Sequence, residues 1–344
     1  MRKYFHRTSQ PVVAVMAALA MIGLFTAGAI AEPVKLRVSW VSAPSNLISL
    51  MMKKSDILLH AGKSYVVEPV YVAGSSPTIT ALQAGELDIG TLNYVSLPLA
   101  VQNAGLTDLK AFSLESLDGG EGCFSAEFRV RKGSGIKTVE DLKGKVVATI
   151  GRGSGVHLSQ LAMLKKHGLE ENRDYTLIES PFPTMKALLK DGKADLIAST
   201  SVTSADPELQ ENSDTLFTTR DAFGGPVALS FWVVSQSFLD KNRAAVVDFM
   251  EDFLRVNRWY TDPANRQEAL KIFSEATKLP TSAIDAYVFK PGKDFCRPHN
   301  LALDPALLQK NVDVVRGLGV VKADFDAMQH FDPTIVNEAA ARLQ

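Results

Sequence analysis

The sequence has few of the residues that mark metal sites, disulfide scaffolds or nucleic-acid binders. Its 344 residues include two cysteines and six histidines, and no two histidines stand at the i, i+3 or i, i+4 spacing of a helical metal site. Basic and acidic residues are nearly balanced, 37 against 38, which argues against nucleic acid or an anionic membrane as the main partner. We therefore expect a globular chain without a metal site.

The motifs of common nucleotide and acyl-transfer sites are also missing. Gly62-Lys63-Ser64 lacks the upstream glycine of a P-loop, and no G-x-G-x-x-G follows a predicted strand. No serine has glycine both two residues before and two residues after it, so the nucleophile elbow of hydrolases is absent. No His/Asp or Cys/His pair stands out as a catalytic base with its nucleophile. We expect binding without catalysis and without a cofactor.

The one long apolar run lies at the N-terminus. Three basic residues precede the run 12–28, and Ala29-Ile30-Ala31 then supplies the small residues of a cleavage site. This layout predicts a secretory signal peptide over 1–31 and a periplasmic protein, the alternative being a retained membrane anchor. No cysteine precedes residue 32, so we do not expect a lipoprotein. Cleavage removes three basic residues and leaves 34 basic against 38 acidic residues, a net charge of −4.

The two cysteines are Cys123 and Cys296. In an oxidising compartment an even number of cysteines permits one disulfide, but the sequence does not show that the two lie close together. A Cys123–Cys296 bridge and two buried free thiols both remain open.

Strand and helix patterns alternate up to residue 199, which is typical of parallel sheets with crossover helices. After a last strand the chain becomes mainly helical, and we expect this tail to pack back on the first lobe. The predicted strands are 34–40, 65–72, 87–92, 124–131, 146–150, 175–179, 195–199 and 228–234. The predicted helices are 46–60, 77–84, 97–103, 139–142, 154–166, 184–190, 241–260, 263–277, 282–288, 305–318, 324–328 and 333–343.

One supersecondary unit occurs twice. The segment 77–89 has Pro-Thr near a helix start, then Gly85 and Asp88 before a strand, and 183–196 repeats this pattern with Gly192 and Asp195. Pro77 and Pro183 are 106 residues apart, and the second copy has one extra residue before its glycine. Two copies of one unit in a chain predict two lobes of similar build.

Several short motifs resemble the periplasmic solute-binding proteins of nitrate/sulfonate/taurine ABC importers, which are related to the thiamine-pyrimidine-binding group. The resemblance covers essentially the whole chain after residue 31. The motifs that carry it are Leu36–Trp40, 81–90 (ALQAGELDIG), 130–136 (VRKGSGI), 141–147 (DLKGKVV), 153–158 (GSGVHL), and 185–189 (MKALL) with Gly192 and Asp195.

This resemblance implies an α/β type II periplasmic-binding-protein fold, with two lobes joined by a two-strand hinge and a helical C-terminal segment. We expect residues 32–120 and 225–344 in lobe 1 and residues 121–224 in lobe 2. The family implies a partner ABC permease with a cytoplasmic ATPase, and we expect a monomer. Two segments depart from the family: Thr200-Ser201-Val202-Thr203 replaces a common Trp-Pro, and residues 295–299 have no clear counterpart.

The candidate ligand contacts follow predicted strands, because ligands of open α/β sheets bind at the carboxyl ends of strands. The best candidate is the helix start at Ser154 and Gly155, whose N–H groups suit an anion. A second helix start lies at residues 74–78 of the other lobe. The full set is Trp40, Ser42, Ser75, Ser76, Asn93, Tyr94, Arg152, Ser154, Gly155, His157, Ser201 and Phe223.

We therefore predict the substrate-binding component of an ABC importer. Its expected ligand is a small organic anion: a sulfonate, a taurine-like molecule or an aromatic carboxylate such as phthalate. The alternatives are a pyrimidine or thiamine precursor, nitrate, or a periplasmic enzyme or sensory ligand-presenting protein on the same scaffold.

Overall fold

Among the residues that the structure describes, the strands form two sheets of five strands each. A computed structural model describes residues 32–41, 46–322 and 324–343. The predicted signal peptide over 1–31 and the candidate contact Ser42 lie outside the described residues. Every helix in these described ranges is too short or too polar to cross a membrane.

The two sheets have the same topology. The strands are β1 Val34–Trp40, β2 Tyr65–Tyr71, β3 Ile89–Leu92, β4 Leu109–Asp118, β5 Glu127–Arg131, β6 Lys145–Thr149, β7 Tyr175–Glu179, β8 Leu196–Ser199, β9 Ser213–Thr218 and β10 Val227–Ser235. The first sheet has the order β2-β1-β3-β10-β4, and the second has the order β7-β6-β8-β5-β9. In each, three parallel strands are followed by a strand that is antiparallel to both neighbours. The predicted pair of similar lobes is confirmed.

Helices cover both sheets and make up most of the chain after β10. They are α1 Ile48–Met51, α2 Ser75–Gln83, α3 Ser96–Asn103, α4 Gly155–Lys166, α5 Phe182–Lys190, α6 Ser201–Ser204, α7 Pro207–Asn212, α8 Thr219–Phe223, α9 Gln236–Thr261, α10 Arg266–Thr277, α11 Thr281–Asp285, α12 Pro305–Gly317 and α13 Thr334–Ala341. Four short 3₁₀ segments also occur in the described part of the chain: Met52–Ile57, Glu140–Leu142, Pro263–Asn265 and Ala327–His330.

The sequence repeat forms the same turn in both lobes. Gly85 follows α2 with φ of 68°, and Gly192 follows α5 with φ of 69°. Residues other than glycine rarely adopt this left-handed backbone conformation. It ends each helix and directs the chain into the next strand. The two glycines therefore have the same role at equivalent positions.

The repeated aspartates join the new strand to its parallel neighbour. The backbone N–H of Arg37 in β1 donates to Asp88 Oδ2 at 2.8 Å, and the backbone N–H of Val146 in β6 donates to Asp195 Oδ2 at 2.9 Å. The N–H groups of both aspartates donate back to the carbonyls of the same partner residues. Each carboxylate thus fixes the register of a parallel strand pair, which explains why the pattern occurs twice.

The core of the first lobe is built around Trp232 in β10. Its ring centroid lies 4.3 Å from that of Phe253 and 5.3 Å from that of Phe249, and both phenylalanines belong to α9. α9 and α13 therefore pack on the first sheet, as predicted for the helical tail. α12 contacts both lobes: the backbone N–H of Ala228 in β10 donates to Asn311 Oδ1 at 2.9 Å, and Lys165 of α4 in the second lobe donates to the carbonyl of Gly317 at 3.0 Å.

Some elements differ from the sequence prediction. β4 is not among the predicted strands, because the buried acids Glu115 and Asp118 interrupt its apolar pattern. α7, β9 and α8 lie in a polar stretch without clear periodicity. The helix predicted over 324–328 is wrong: Asp326 instead caps the 3₁₀ segment Ala327–His330. The helix predicted over 46–60 divides into α1 and a 3₁₀ segment.

Two connections join the lobes, residues 119–126 and 219–226. The backbone N–H of Thr219 donates to the carbonyl of Ala126 at 2.9 Å, and that of Arg220 donates to Ser125 Oγ at 3.0 Å. The connections are therefore bonded to each other where they cross. The predicted lobe limits at 120/121 and 224/225 stay predictions.

Candidate functional site

A cleft of about 340 Å³ lies between the lobes, where the carboxyl ends of the parallel strands point toward each other. First-lobe residues that line it are Val41, Asn46, Gly74, Ser75, Thr91, Leu92, Asn93, Tyr94, Ser116, Asp118, Val227, Leu229, Ser230 and Phe295. Residues from the other side are Ala126, Ile150, Gly155, Val156, Ser159, Phe182, Thr200 and Thr219. A second cavity of about 330 Å³ is lined by the second lobe alone, so the cleft is the better candidate for binding with lobe closure.

The start of α4 is directed into the cleft by its N-cap. Ser154 Oγ accepts from the backbone N–H of His157 at 3.2 Å and donates to the carbonyl of Gly151 at 2.7 Å. Gly155 and Val156, the first residues of the helix, line the cleft. Their backbone N–H groups have no hydrogen-bond partner in the described part of the chain. The positive end of a helix therefore faces the cavity.

The start of α2 faces the same cavity from the first lobe. Gly74, with φ of 107°, precedes the helix, and both Gly74 and Ser75 line the cleft. Asn93 Nδ2 lies 3.5 Å from Ser75 Oγ, so the amide and the hydroxyl are neighbours. Ser76 is exposed and is not part of the lining.

Tyr94 lies at the contact between the lobes. It follows β3 of the first lobe, yet its hydroxyl is 3.5 Å from the position that a Cβ on Gly155 would occupy. Its ring packs edge to face on Phe223, with centroids 5.1 Å apart. Burial, with a contribution from the charge of Asp118, raises the pKa of Tyr94 above its usual range. Tyr94 therefore presents a neutral hydroxyl, and Phe223 supports it from behind without lining the cleft.

Three other candidate contacts, Trp40, Arg152 and Ser201, lie outside the lining of the cleft. Trp40 packs edge to face on Tyr71, with ring centroids 5.1 Å apart. Arg152 is exposed and pairs with Glu171 on the second lobe. Ser201 is buried in the short helix α6. None of these side chains lines the cleft as described.

His157 lies one turn behind the open end of α4. Its Nδ1 accepts from the backbone N–H of Gly153 at 3.1 Å, and burial lowers its pKa. The imidazole is therefore neutral at pH 7 and supports the loop before the helix. In the part of the chain that the structure describes, no three His, Cys, Asp or Glu side chains group as a metal site would require.

β4 carries two buried acids, of which Asp118 lines the cleft and Glu115 is hydrogen-bonded to the lining residue Asn46. Burial raises the pKa of Glu115 to about 7, and the hydrogen bond from Asn46 Nδ2 to Glu115 Oε1 at 2.9 Å partly offsets this. Burial also raises the pKa of Asp118 to about 7, against hydrogen bonds from Ser125 Oγ at 2.5 Å and the backbone N–H of Ala126 at 3.2 Å. Asn46 and Asp118 both line the cleft.

These acids predict that the protein is less stable at pH 8.0 than at pH 6.5. Their folded-state pKa values exceed those of the unfolded chain, so the stability they contribute is lost as the pH rises through about 7. The lowered pKa of His157 acts in the opposite direction but below this window. We expect a fall in Tm of about 2–4 °C, measurable by circular dichroism.

The matched variant for this pH effect is Glu115→Gln. It keeps an oxygen that accepts from Asn46 but cannot ionise. Its Tm should fall by about half as much as that of the wild type over the same pH range. Equal falls in the two proteins would show that Glu115 does not titrate there.

A C-terminal loop reaches into the cleft next to β4. Leu117 and Cys296 exchange two backbone hydrogen bonds of 2.9 Å, and Cys296 forms a disulfide with Cys123. This bridge joins the loop to the first connection between the lobes, with a Cα–Cα distance of 5.4 Å. Phe295 consequently lines the cleft, with its ring 5.4 Å from that of Phe124. We call residues 289–301 the strap.

Several lining residues were not among the candidates. Ser116, Asp118 and Ser230 lie on the antiparallel strands β4 and β10, where the strand-end rule does not apply. Phe295 comes from the strap, far away in sequence. The sequence marked this segment in only two ways: residues 295–299 depart from the family, and they contain the second cysteine.

Two α/β lobes with a cleft at their strand ends define a type II periplasmic-binding-protein fold. A family model described as "ABC transporter, phosphonate, periplasmic substrate-binding protein" matches residues 59–230, which are 172 of the 344 residues. The chain belongs to this family of periplasmic substrate-binding proteins of ABC transporters. The resemblance predicted from the motifs is therefore confirmed, whereas curated proteins gave no match in sequence.

Solved structures show the same fold at low identity. The periplasmic aliphatic sulphonate binding protein SsuA from Escherichia coli is 22% identical with a TM-score of 0.67, over 88% of this chain and 92% of its own. The periplasmic nitrate-binding protein NrtA from Synechocystis PCC 6803 is 15% identical with a TM-score of 0.66, over 91% and 90%. The desulfurization enzyme DSZB is 15% identical with a TM-score of 0.62, over 90% and 100%.

Proposed function

We propose that this protein captures a small organic anion in the periplasm and delivers it to an ABC permease with a cytoplasmic ATPase. The observation that carries this proposal is the pair of helix starts, α2 and α4, that face one cleft from different lobes. Helix N-termini hold partial positive charge and free N–H groups, which suit a carboxylate, sulfonate or phosphonate. The names of the family and of SsuA support the same ligand class.

The two helix starts also give a reason for lobe closure. An anion bound to Gly155 and Val156 on one lobe and to Ser75 on the other would join the lobes, and closing removes it from water. Around these donors the lining is apolar at Leu92 and Ile150, as is usual in small-molecule sites. The cavity is large enough for an organic molecule and not only for an inorganic ion.

Binding fits the lining better than catalysis does. Among the described lining residues there is no histidine, cysteine or lysine, and the hydroxyl that donates to the one lining acid, Asp118, belongs to Ser125, which does not line the cleft. An enzyme on this scaffold, for which DSZB provides a precedent, would need such a group in the cleft. We therefore place catalysis second.

The test is a binding measurement with two substitutions at one N-cap. Aspartate and asparagine both cap helices as well as serine does, so Ser154→Asp and Ser154→Asn keep the hydrogen bond to the N–H of His157. Only Ser154→Asp adds a negative charge next to the proposed anion position. We expect it to weaken binding of propane-1-sulfonate or ethylphosphonate by about tenfold or more, measured by calorimetry.

The asparagine variant should bind these anions nearly as the wild type does. If wild-type protein binds none of a panel of sulfonates, phosphonates and carboxylates, the proposal of an organic anion is wrong. If the aspartate and asparagine variants bind equally well, the anion does not sit at α4.

A further inference from the structure

The strap places an aromatic ring at one edge of the first sheet. Leu117 of β4 pairs with Ala228 of β10 on one side and with Cys296 on the other, so the strap lies beyond β4. Phe295, next to the cysteine, is half-buried and lines the cleft. The ring therefore lies at the end of the cavity where the chain passes between the lobes.

The two helix starts lie toward the other end. Ser75 of α2 is a neighbour of Asn93, which follows β3, and the hydroxyl of Tyr94 lies close to Gly155 of α4. β10 and β4 separate β3 from the strap. This makes three strand spacings, or about 14 Å between backbones. A ligand whose anionic group binds at the helix starts therefore extends toward Phe295.

The strap is held too firmly for a ligand to displace the ring. The disulfide fixes Cys296, and the backbone N–H of Phe124 donates to the carbonyl of Asp294 at 2.9 Å. The side chains of Asp294 and Arg297 are both buried and form an ion pair of 3.0 Å within the strap. The ring of Phe295 also packs edge to face on that of Phe124. Movement of the ring would disturb several of these contacts at once.

The polar groups near the ring have partners within the protein. The hydroxyls of Ser116 and Ser230 lie 2.7 Å apart and bond to each other, and Asp118 accepts from two groups of the first connection between the lobes. Val227 and Leu229 of β10 line the cleft beside them. This end of the cavity therefore suits the apolar body of a ligand better than its charged group.

We propose that Phe295 is a specificity-determining residue that limits the length of the ligand. This rests on the proposed function, because it assumes an anionic group at the helix starts. A ligand whose body just reaches the ring gains an apolar contact, whereas a longer one collides with a side chain that cannot move away. The segment that departs from the family, residues 295–299, thus supplies the residue that sets the size of the cleft.

The test measures how affinity depends on chain length. Unbranched alkanesulfonates and alkylphosphonates from methyl to octyl are titrated into the wild type by calorimetry. Each methylene that enters the cleft removes apolar surface from water, so affinity should rise by up to about fourfold per carbon. The rise should stop at one chain length, the optimum, and longer members should bind at least about tenfold more weakly because they overfill the cavity.

Phe295→Ala should move the optimum to a longer chain, because the truncated side chain leaves space that further methylenes can fill. The first member that the wild type rejects should bind at least about tenfold more tightly to this variant. The member at the wild-type optimum should bind more weakly, since it loses its contact with the ring. Phe295→Leu keeps a smaller apolar side chain and should move the optimum less than alanine does.

Phe182→Ala is the matched control. Phe182 also lines the cleft, but it begins α5 after β7, at the edge of the second sheet that lies away from the connections. The same truncation at this position should lower affinity without moving the optimum.

Four outcomes decide the proposal. An optimum that moves with Phe295 and not with Phe182 supports it. An optimum that stays in place in folded Phe295→Ala, or that moves equally in Phe182→Ala, would overturn the role of Phe295 and leave the anion proposal standing. Wild-type affinity that still rises at octyl would also overturn it, because no length limit would then exist. Binding of no member of either series would refute the proposed function together with this inference.

Discussion

Replacing both Cys123 and Cys296 by serine is expected to lower the free energy of unfolding by about 3–5 kcal/mol. The two cysteines are 173 residues apart, so the bridge closes a long loop and strongly restricts the unfolded chain. The bridge also holds the strap against the connection between the lobes. Backbone hydrogen bonds from Phe124 to Asp294 and between Leu117 and Cys296 would remain, but without a covalent link.

Urea unfolding of the oxidised wild type and the double variant measures this loss. The wild type reduced with dithiothreitol should behave like the variant, because the same bond is missing. Phe295→Ala is the matched control: it truncates the strap residue in the cleft but keeps the disulfide, so it should weaken ligand binding more than it weakens the fold. A double variant within about 1 kcal/mol of the wild type would show that the strap is held by its backbone contacts alone.

Much of the fold could be predicted from local sequence patterns. β1 and β7 have the predicted bounds, and α2 and α5 end at the predicted glycines, because parallel strands and crossover helices have clear periodicity and turn residues. β4 and β9 could not be predicted. They pair with antiparallel strands that lie far away in sequence, and their polar residues are stabilised by partners that only the folded chain provides.

The residues of the candidate site also divide into some that could be predicted from the sequence and some that could not. Ser75, Asn93, Tyr94 and Gly155 line the cleft and were found because they follow parallel strands. Asp118 has no such signal: its position depends on the return of the chain through β4, which local periodicity does not reveal. Phe295 also lacks a local signal, because it lies in the cleft next to Cys296, whose disulfide joins two segments far apart in sequence.

The structural role of Asp252 in α9 is equally hard to predict from the sequence. Asp252 is fully buried, and its carboxylate accepts from the N–H groups of Leu59, His60 and Ala61 at 2.7, 2.9 and 3.2 Å. It also accepts from the hydroxyl of Tyr65 at 2.8 Å. One side chain therefore anchors the loop that leads into β2 to the central helix of the first lobe.

Asp252→Ala is expected to lower the free energy of unfolding by about 3–5 kcal/mol, because it leaves four donors, among them the buried hydroxyl of Tyr65, without their acceptor. Asp252→Asn keeps the volume and one acceptor oxygen, so its loss should be intermediate. Asp240 lies on the same helix but is exposed, and among the described residues its side chain accepts only from Gln236, so Asp240→Ala should change stability by less than about 0.5 kcal/mol. If alanine at 252 costs no more than alanine at 240, water must replace the carboxylate in the loop, and the loop does not depend on Asp252 for its position. A graded loss from asparagine to alanine, measured by urea unfolding, would instead establish that hydrogen bonds to this one carboxylate hold the loop before β2 against α9.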